Sequence, residues 1–345
     1  MKSKIKNSSK VALITGVNGQ DGSYLAKHLL EKNFRVIGTI RTLNDNLWRL
    51  KYHGLENHIN LVECNLLEPE SLINLLKTNQ DITQIYNLAA ISYVHTSFSQ
   101  PISTFNSNTI PVLQLLEFMR TENKKIRLYQ ASTSEMFGNT KSVTLNENSP
   151  MDPKSPYGIA KLASYHLVRM YRYGYNLFAS NGILFNHESP LRSDVFVTKK
   201  IAQSLARYKK NLPRRNDIGN IYSRRDWGHA NDYVKGMYKI LTYKSPDDFI
   251  LSTNTSYSVK EFINYSLDYL NIKYKWVGKD FKNMKCIDLS NSKIIFKVDQ
   301  SNLRPLDVTD LKGNYSKAKN LLGWKPDIKF KKLVNEMIRY ELEAI

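Results

Sequence analysis

The sequence predicts an α/β chain built on a doubly wound parallel sheet with a smaller C-terminal lobe, and three observations carry that expectation. Short β-branched runs alternate with amphipathic stretches through the first half, the βαβ pattern of a parallel sheet. The first such run leads at once into three glycines and a helix-like segment. Beyond about Asn186 the order loosens into longer loops with aromatic residues and turn signals such as "NLPRRN" and "KSPDD".

Taken in order, the strand-like runs are "VALITG" from Val11, "FRVIGTI" from Phe34, "INLVECNL" from Ile59, "ITQIYNLA" from Ile82, "KIRLYQAS" from Lys125 and "LFASNGILF" from Leu177. Helical patterns such as "GSYLAKHLLEKN" and "PVLQLLEFMRTEN" lie between them. The expected division is a first lobe over 10–185, with a later return near 226–257, and a second lobe made mainly of 186–345. No repeat or long linker separates the two, so they should form one compact unit.

Composition narrows the classes. The 345 residues are 41% apolar, and the mean hydropathy is −0.44. No run of about 18 apolar residues is present to cross a membrane. The polar start "MKSKIKNSSK" has no apolar core of a secretory signal. Cys64 and Cys286 make neither a disulfide framework nor a metal-ligand spacing, so a cytoplasmic protein without a metal site is expected. The net charge of +19 admits a nucleic acid, a membrane surface or a polyanionic small molecule as partner. The basic residues are scattered in short groups such as "KNLPRR" and "SRRDW", without a nucleic-acid motif, and most read as a solvated surface.

After the first strand comes "TGVNGQDGSYLAKHLL", in which Gly16, Gly19 and Gly22 are spaced G-x-x-G-x-x-G before a helix. Small residues there admit a pyrophosphate to the backbone, and the helix N-terminus supplies free N–H groups. That context makes the stretch a Rossmann-type cofactor loop, with Gly16, Asn18, Gly19, Gln20 and Asp21 as candidate contacts. The second strand ends "GTIRT" where a carboxylate would receive a free ribose hydroxyl. Arg41 offers a cationic fork to a 2′-phosphate instead, which favours NADP over NAD, although it also reads as a surface arginine at a strand end. Asn65, Leu66, Leu88, Ala89 and Ala90 follow the third and fourth strands, where such sheets hold their ligands.

Tyr157 and Lys161 in "SPYGIAKL" stand at i and i+4, on one face of a helix. An ammonium beside a phenol stabilises the phenolate, which can then take a proton from a sugar hydroxyl. The pair alone also fits an amphipathic helix with a solvated lysine. Just upstream, "YQASTSEMFG" puts Thr133 and Glu135 at the end of the fifth strand.

The motifs "TGVNGQDGSYLA", "YNLAA", "QASTSEMFG", "SPYGIAK", "NGILFNHESP", "RDWGHANDYV" and "LGWKP" resemble those of the GDP-mannose 4,6-dehydratases, extended short-chain dehydrogenases/reductases, from about residue 10 to 340. The resemblance implies that Tyr157 and Lys161 drive oxidation at C4 of the sugar, that Thr133 holds the C4 oxygen, and that Glu135 moves the C5 proton while the C6 hydroxyl leaves as water. It places His187 and Arg192 near the cofactor. Ser92, Asn186, Val197 and Lys200 fall near the sugar nucleotide, with Arg225 and Arg304 on its diphosphate and guanosine end. It also implies a GDP-sugar substrate and a homodimer or homotetramer, with no nucleic acid or membrane partner.

Several positions depart from that pattern: Asn65 for an Asp, Thr42 for a second Arg, Ser103 for a Tyr, Tyr93 for a His, and Leu191 and Ser193 for Arg and Gly. They leave GDP-D-glycero-D-manno-heptose open beside GDP-D-mannose. A nucleotide-sugar epimerase or reductase is the further alternative, and Glu135 argues against it, since neither reaction needs a carboxylate there. A non-catalytic NADP-sensing protein would leave all these reactive positions without a task.

Overall fold

The computed structural model describes residues 10–140, 144–303 and 306–345. All six expected strands form: β1 (Val11–Thr15), β2 (Arg35–Ile40), β3 (Asn60–Glu63), β4 (Ile82–Asn87), β5 (Arg127–Thr133) and β6 (Ala179–Leu184). A seventh strand, Asp248–Leu251, comes from the second half of the chain and pairs parallel with β6. The sheet order is Asp248–Leu251, β6, β5, β4, β1, β2, β3, with every pairing parallel. The order reverses between β1 and β4, and the crevice beyond their carboxyl ends is where such a sheet takes a ligand.

Both faces of the sheet are covered, which explains why β1 reads as a continuous apolar run. Ala12 and Ile14 point to one face, where they join Leu25 and Leu29 of α1 (Gln20–Glu31) and Met237 and Ile240 of α8 (Ala230–Thr242). Val11 and Leu13 point to the other. There they meet Leu72 and Leu75 of α3 (Pro69–Thr78), Leu115 and Met119 of α5 (Pro101–Thr121), and Val168 of α6 (Pro156–Tyr175). Alternate side chains of one strand thus nucleate two apolar layers.

Helix α5 differs from the sequence pattern, which begins it at Pro111. It starts ten residues earlier and keeps Pro111 inside. The first half is rich in Ser, Thr and Asn, which read as loop because such side chains compete for backbone groups. Here they bond one turn back along the helix, Thr109 Oγ1 to Phe105 O at 2.6 Å and Asn108 Nδ2 to Thr104 O at 2.7 Å. Packing against α6 then decides the conformation.

The smaller lobe centres on an antiparallel run of Tyr274–Val277, Lys285–Asp288 and Ile294–Val298, with Asp217–Ile218 added in parallel. Helices α7 (Val197–Lys209), α9 (Val259–Tyr269) and α11 (Phe330–Ala344) pack on it through Ile201, Leu205, Phe262, Leu333 and Ile338. The Tyr257 and Phe330 rings stack 3.8 Å apart in this core. Two short pairings build the wall between the lobes. His187–Glu188 lies parallel to Gly228–His229, and Arg224–Arg225 runs between Tyr257–Ser258 and Asp310–Leu311.

Candidate active site

A cleft of about 980 Å³ opens at the carboxyl end of the sheet and runs on between the lobes. It is lined by each candidate site residue that the sequence singled out, apart from Arg304, which lies outside the described residues.

The glycine loop is a backbone cradle. Gly16 has φ +69°, a left-handed conformation that favours glycine, and a Cβ there would sit 3.0 Å from Ala89 Cα. At Gly22 a Cβ would fall 2.4 Å from Gly16 O, so the turn closes only without side chains. Thr15 fixes the loop to the end of β4: its hydroxyl donates to Asn87 Oδ1 at 2.7 Å and accepts from the amides of Leu88 and Ala89 at 3.0 and 3.1 Å. A bare loop before a helix N-terminus suits a dinucleotide's pyrophosphate.

Past β2 the chain turns back at Arg41, which is exposed at the edge of the cleft. Sequence reasoning missed Asp45. Its carboxylate accepts from Arg41 N at 3.0 Å, from Asn18 Nδ2 at 3.2 Å and from Thr42 Oγ1 at 3.2 Å, and so folds this turn. Asn65 lines the cleft too, with Oδ1 accepting from Leu67 N and Nδ2 donating to Glu68.

Helix α6 carries the tyrosine and lysine. It starts at Pro156 behind Ser155, whose hydroxyl accepts from Gly158 N at 3.1 Å, and this cap fixes where Tyr157 emerges. Tyr157, Thr133 and Glu135 are all buried, 8–9% exposed, at the floor of the cleft. Lys161 is buried as well, with Nζ donating to Ala131 O at 2.9 Å and standing 6.0 Å from the centre of the Tyr157 ring. Burial pushes the Tyr157 phenol up to about 12, against the hydrogen bond from Thr133, and brings Lys161 down to about 8. The phenol is therefore not pre-ionised in this cleft, because burial outweighs the hydrogen bond from Thr133 that favours the phenolate.

Glu135 sits in a 3₁₀ turn directly after β5, with its amide donating to Thr133 Oγ1 at 3.3 Å. Its Oε1 is 3.9 Å from Arg225 Nη2. Arg225 is held in turn by Val308 O and Arg224 O, at 2.7 and 2.8 Å from Nη1, and by Asp307 at 3.5 Å. Asp307 was not foreseen either; nothing in a loop sequence marks it until Asp310–Leu311 pairs with Arg224–Arg225.

The hinge segment after β6 brings the remaining groups. His187 Nε2 lies 2.7 Å from Asp21 Oδ2, its Nδ1 lies 2.8 Å from Phe185 O, and its ring stacks on Tyr233. Burial works against a charged His187, but Asp21 overcomes it and leaves the histidine raised. Gln20 bonds His187 O and Ser189 Oγ, tying α1 to the same segment. Arg192 pairs with Glu188 at 2.9 Å and packs on Phe196, while Lys200 stands 6.0 Å from the Tyr93 ring. Of the departures, Tyr93 and Ser193 line the cleft together with Asn65. Leu191 instead lies fully buried in the apolar core beside α1 and α8, and Ser103 is exposed on α5.

A glycine cradle at the switch point of a parallel sheet, facing a tyrosine–lysine pair across one cleft, defines an extended short-chain dehydrogenase/reductase. Solved structures agree on that fold: UDP-glucose 4-epimerase from Thermus thermophilus, in complex with NAD, superposes with a TM-score of 0.80 at 19% identity, over 97% of this chain and 100% of the other. The sequence profile of the GDP-mannose 4,6 dehydratase family matches residues 13–337. A GDP-mannose 4,6 dehydratase of Cricetulus griseus is 39% identical over 97% of this chain and 92% of its own length. GDP-mannose 4,6 dehydratase 1 of Arabidopsis thaliana is 40% identical over 99% and 92%. The chain belongs to the GDP-mannose 4,6-dehydratase family.

Proposed function

We propose that this chain is a GDP-sugar 4,6-dehydratase acting on GDP-D-mannose, and the observation that carries the reading is Glu135 at the cleft floor beside Thr133 and Tyr157. A bound nicotinamide dinucleotide supplies the hydride acceptor and donor. The glycine loop, with Asn18, Gln20 and Asp21, would hold its pyrophosphate side, and Asn65, Leu66, Leu88, Ala89 and Ala90 its adenosine side. His187 and Arg192 line the same cleft and are read as further neighbours of the cofactor.

The residues then divide the proton work. Thr133 and Tyr157 hold the C4 hydroxyl, and Tyr157 receives its proton as hydride leaves C4. The phenol, neutral in this cleft, would ionise ahead of this transfer when a cationic nicotinamide is bound beside it, with the Lys161 ammonium favouring the phenolate from the same helix. The new C4 carbonyl acidifies C5–H, whose proton passes to Glu135 and on to the C6 hydroxyl, which departs as water. Hydride returns to C6 and a proton to C5, matching the one lost from the C4 hydroxyl, so no net redox change remains. Ser92, Asn186, Val197, Lys200 and Arg225 line the sugar-nucleotide half of the cleft, and Arg304 is assigned to the guanosine end from sequence.

We read the cofactor as NADP. Asp45 is the first acidic residue after β2, and its oxygens are already engaged by two donors of its own turn and by Asn18 of the glycine loop, which leaves Arg41 to meet the ribose substituent. The 10–185 segment with its return at 226–257 is the nucleotide lobe, and the rest of 186–345 the sugar-nucleotide lobe. The assembly is read as a homodimer through α5 and α6, whose outer faces expose Ile102, Phe105, Ile159, Met170 and Tyr173, and a tetramer would add a second contact. Among the described residues no helix is long and apolar enough to cross a membrane. A cytoplasmic location fits the two cysteines, both free thiols.

The test is incubation of the purified protein with NADP and either GDP-D-mannose or GDP-D-glycero-D-manno-heptose. Loss of water, read by mass, is expected with GDP-D-mannose. Turnover of the heptose alone would reassign the sugar and keep the reaction. A product of unchanged mass would replace the dehydratase by an epimerase.

A further inference from the structure

Arg49 belongs to α2 (Trp48–Tyr52), just beyond the turn that Asp45 folds. Its guanidinium reaches two backbone carbonyls in different segments of the cleft wall. Nε donates to Leu191 O at 2.7 Å, and Nη1 donates to Asn18 O at 3.3 Å. The group also packs on Trp48, 4.5 Å from the ring centre. Asn18 is part of the glycine loop, and Leu191 is part of the hinge segment that carries Asn186, His187 and Arg192.

The hinge side of this contact is itself held in place. Leu191 has its side chain fully buried and its amide donating to Ser189 Oγ at 3.1 Å. The preceding carbonyl, Pro190 O, accepts from Lys199 Nζ of α7 at 2.7 Å. Two successive carbonyls of the hinge are therefore gripped from opposite sides, Pro190 by the sugar-nucleotide lobe and Leu191 by the nucleotide lobe. A guanidinium presents its donors in a fixed plane and can span two carbonyls, whereas an ammonium is a compact charge on a flexible stem.

We propose that Arg49 is a positioning residue that latches the glycine loop to the hinge segment, so that a dinucleotide seated on the first leaves only when the second lets go. The idea rests on the dehydratase reading, in which a cofactor restored in every turnover has no need to exchange. It assigns a task to a side chain that neither reacts nor carries a sequence motif.

The test compares the unmodified chain with Arg49→Lys and Arg49→Met by two readouts. The first is release of bound NADPH, followed by its fluorescence during a chase with excess NADP. The second is amide hydrogen exchange over residues 16–20 and 187–193 in the ligand-free protein. Two hydrogen bonds from a charged donor correspond to roughly 10- to 100-fold in release rate, and lysine should fail to restore it. Both segments should exchange faster together, while α9 and α11 stay protected. If Arg49→Met does not fold, Arg49→Lys alone decides. Wild-type release and exchange in Arg49→Lys, or loosening confined to one segment, would overturn the latch. An unmodified chain that binds neither NADPH nor NADH would refute the dehydratase reading, and the exchange measurement would still judge the latch.

Discussion

Glu135 and Arg225 face each other across the cleft from different lobes, with 3.9 Å between Oε1 and Nη2. At that length the pair is loose, and Arg225 donates its firm hydrogen bonds to Val308 O and Arg224 O instead. The arginine thus brings positive charge to the carboxylate from the opposite lobe while its own place is fixed by the backbone.

Glu135→Gln should separate oxidation from elimination. An amide cannot accept the C5 proton, so water loss should fall by about 10²- to 10⁴-fold while hydride transfer persists. Adding GDP-D-mannose should then build up the near-ultraviolet band of enzyme-bound reduced cofactor. Tyr157→Phe should give neither that band nor product. Dehydration at a near-normal rate in Glu135→Gln would make the carboxylate structural.

Lys161 should cost stability where it is charged. Its folded-state value of about 8 lies below the ordinary 10.5, because burial penalises the ammonium. The unfolded chain therefore holds more protons between those limits, and stability should rise with pH across that window. Relative to Lys161→Met, the unmodified protein should gain up to about 3 kcal/mol between pH 8 and 10.5 in denaturant titrations. The same substitution should depress turnover severely. A stability difference that does not change with pH would contradict this account of Lys161.

The His187–Asp21 pair should give stability a defined pH window. His187 is raised on folding: burial opposes its charge but Asp21 prevails, so its contribution is complete below 6.5 and lost as pH rises through the folded value. Asp21 is lowered, against its burial, chiefly by the charge of His187. Its contribution is complete above 3.8 and lost as pH falls through the folded value. The melting temperature of His187→Asn should therefore lie furthest below the wild type between about pH 4 and 6.5 and converge on it in alkaline buffer. A constant gap across the range would assign His187 to packing alone.

Arg41→Ala should erase most of any preference for NADP over NAD. Charged hydrogen bonds to a 2′-phosphate correspond to roughly 10- to 100-fold in affinity. Fluorescence titrations with the two reduced cofactors measure this directly. Equal affinities in the unmodified protein would remove the argument from Arg41.

Much of this molecule was legible in one dimension because its signals are local. The β-branched runs of β1 to β6 report strands buried on both faces, and the glycine spacing reports a turn that only bare backbone can close, as Gly16 and Gly22 show. Tyr157 and Lys161 share a helix face by their spacing alone, and the hydroxyl and carboxylate of Thr133 and Glu135 sit at a strand end that the sheet architecture makes functional.

What the chain could not announce are relationships made by distant segments. The full extent of α5 depends on its packing against α6, since its Ser-, Thr- and Asn-rich first half has no strong local preference for helix. Glu135 and Arg225 meet only when the second lobe folds over the first, and Arg49 finds Asn18 O and Leu191 O only after the hinge has been pinned. Even the state of Tyr157 was a tertiary matter. The sequence placed a lysine beside it, but burial sets both groups, and whether a phenolate forms depends on the solvent and charge that the closed cleft admits. Periodicity and turn chemistry are written in neighbouring residues, whereas desolvation and contacts across lobes are properties of the packed whole.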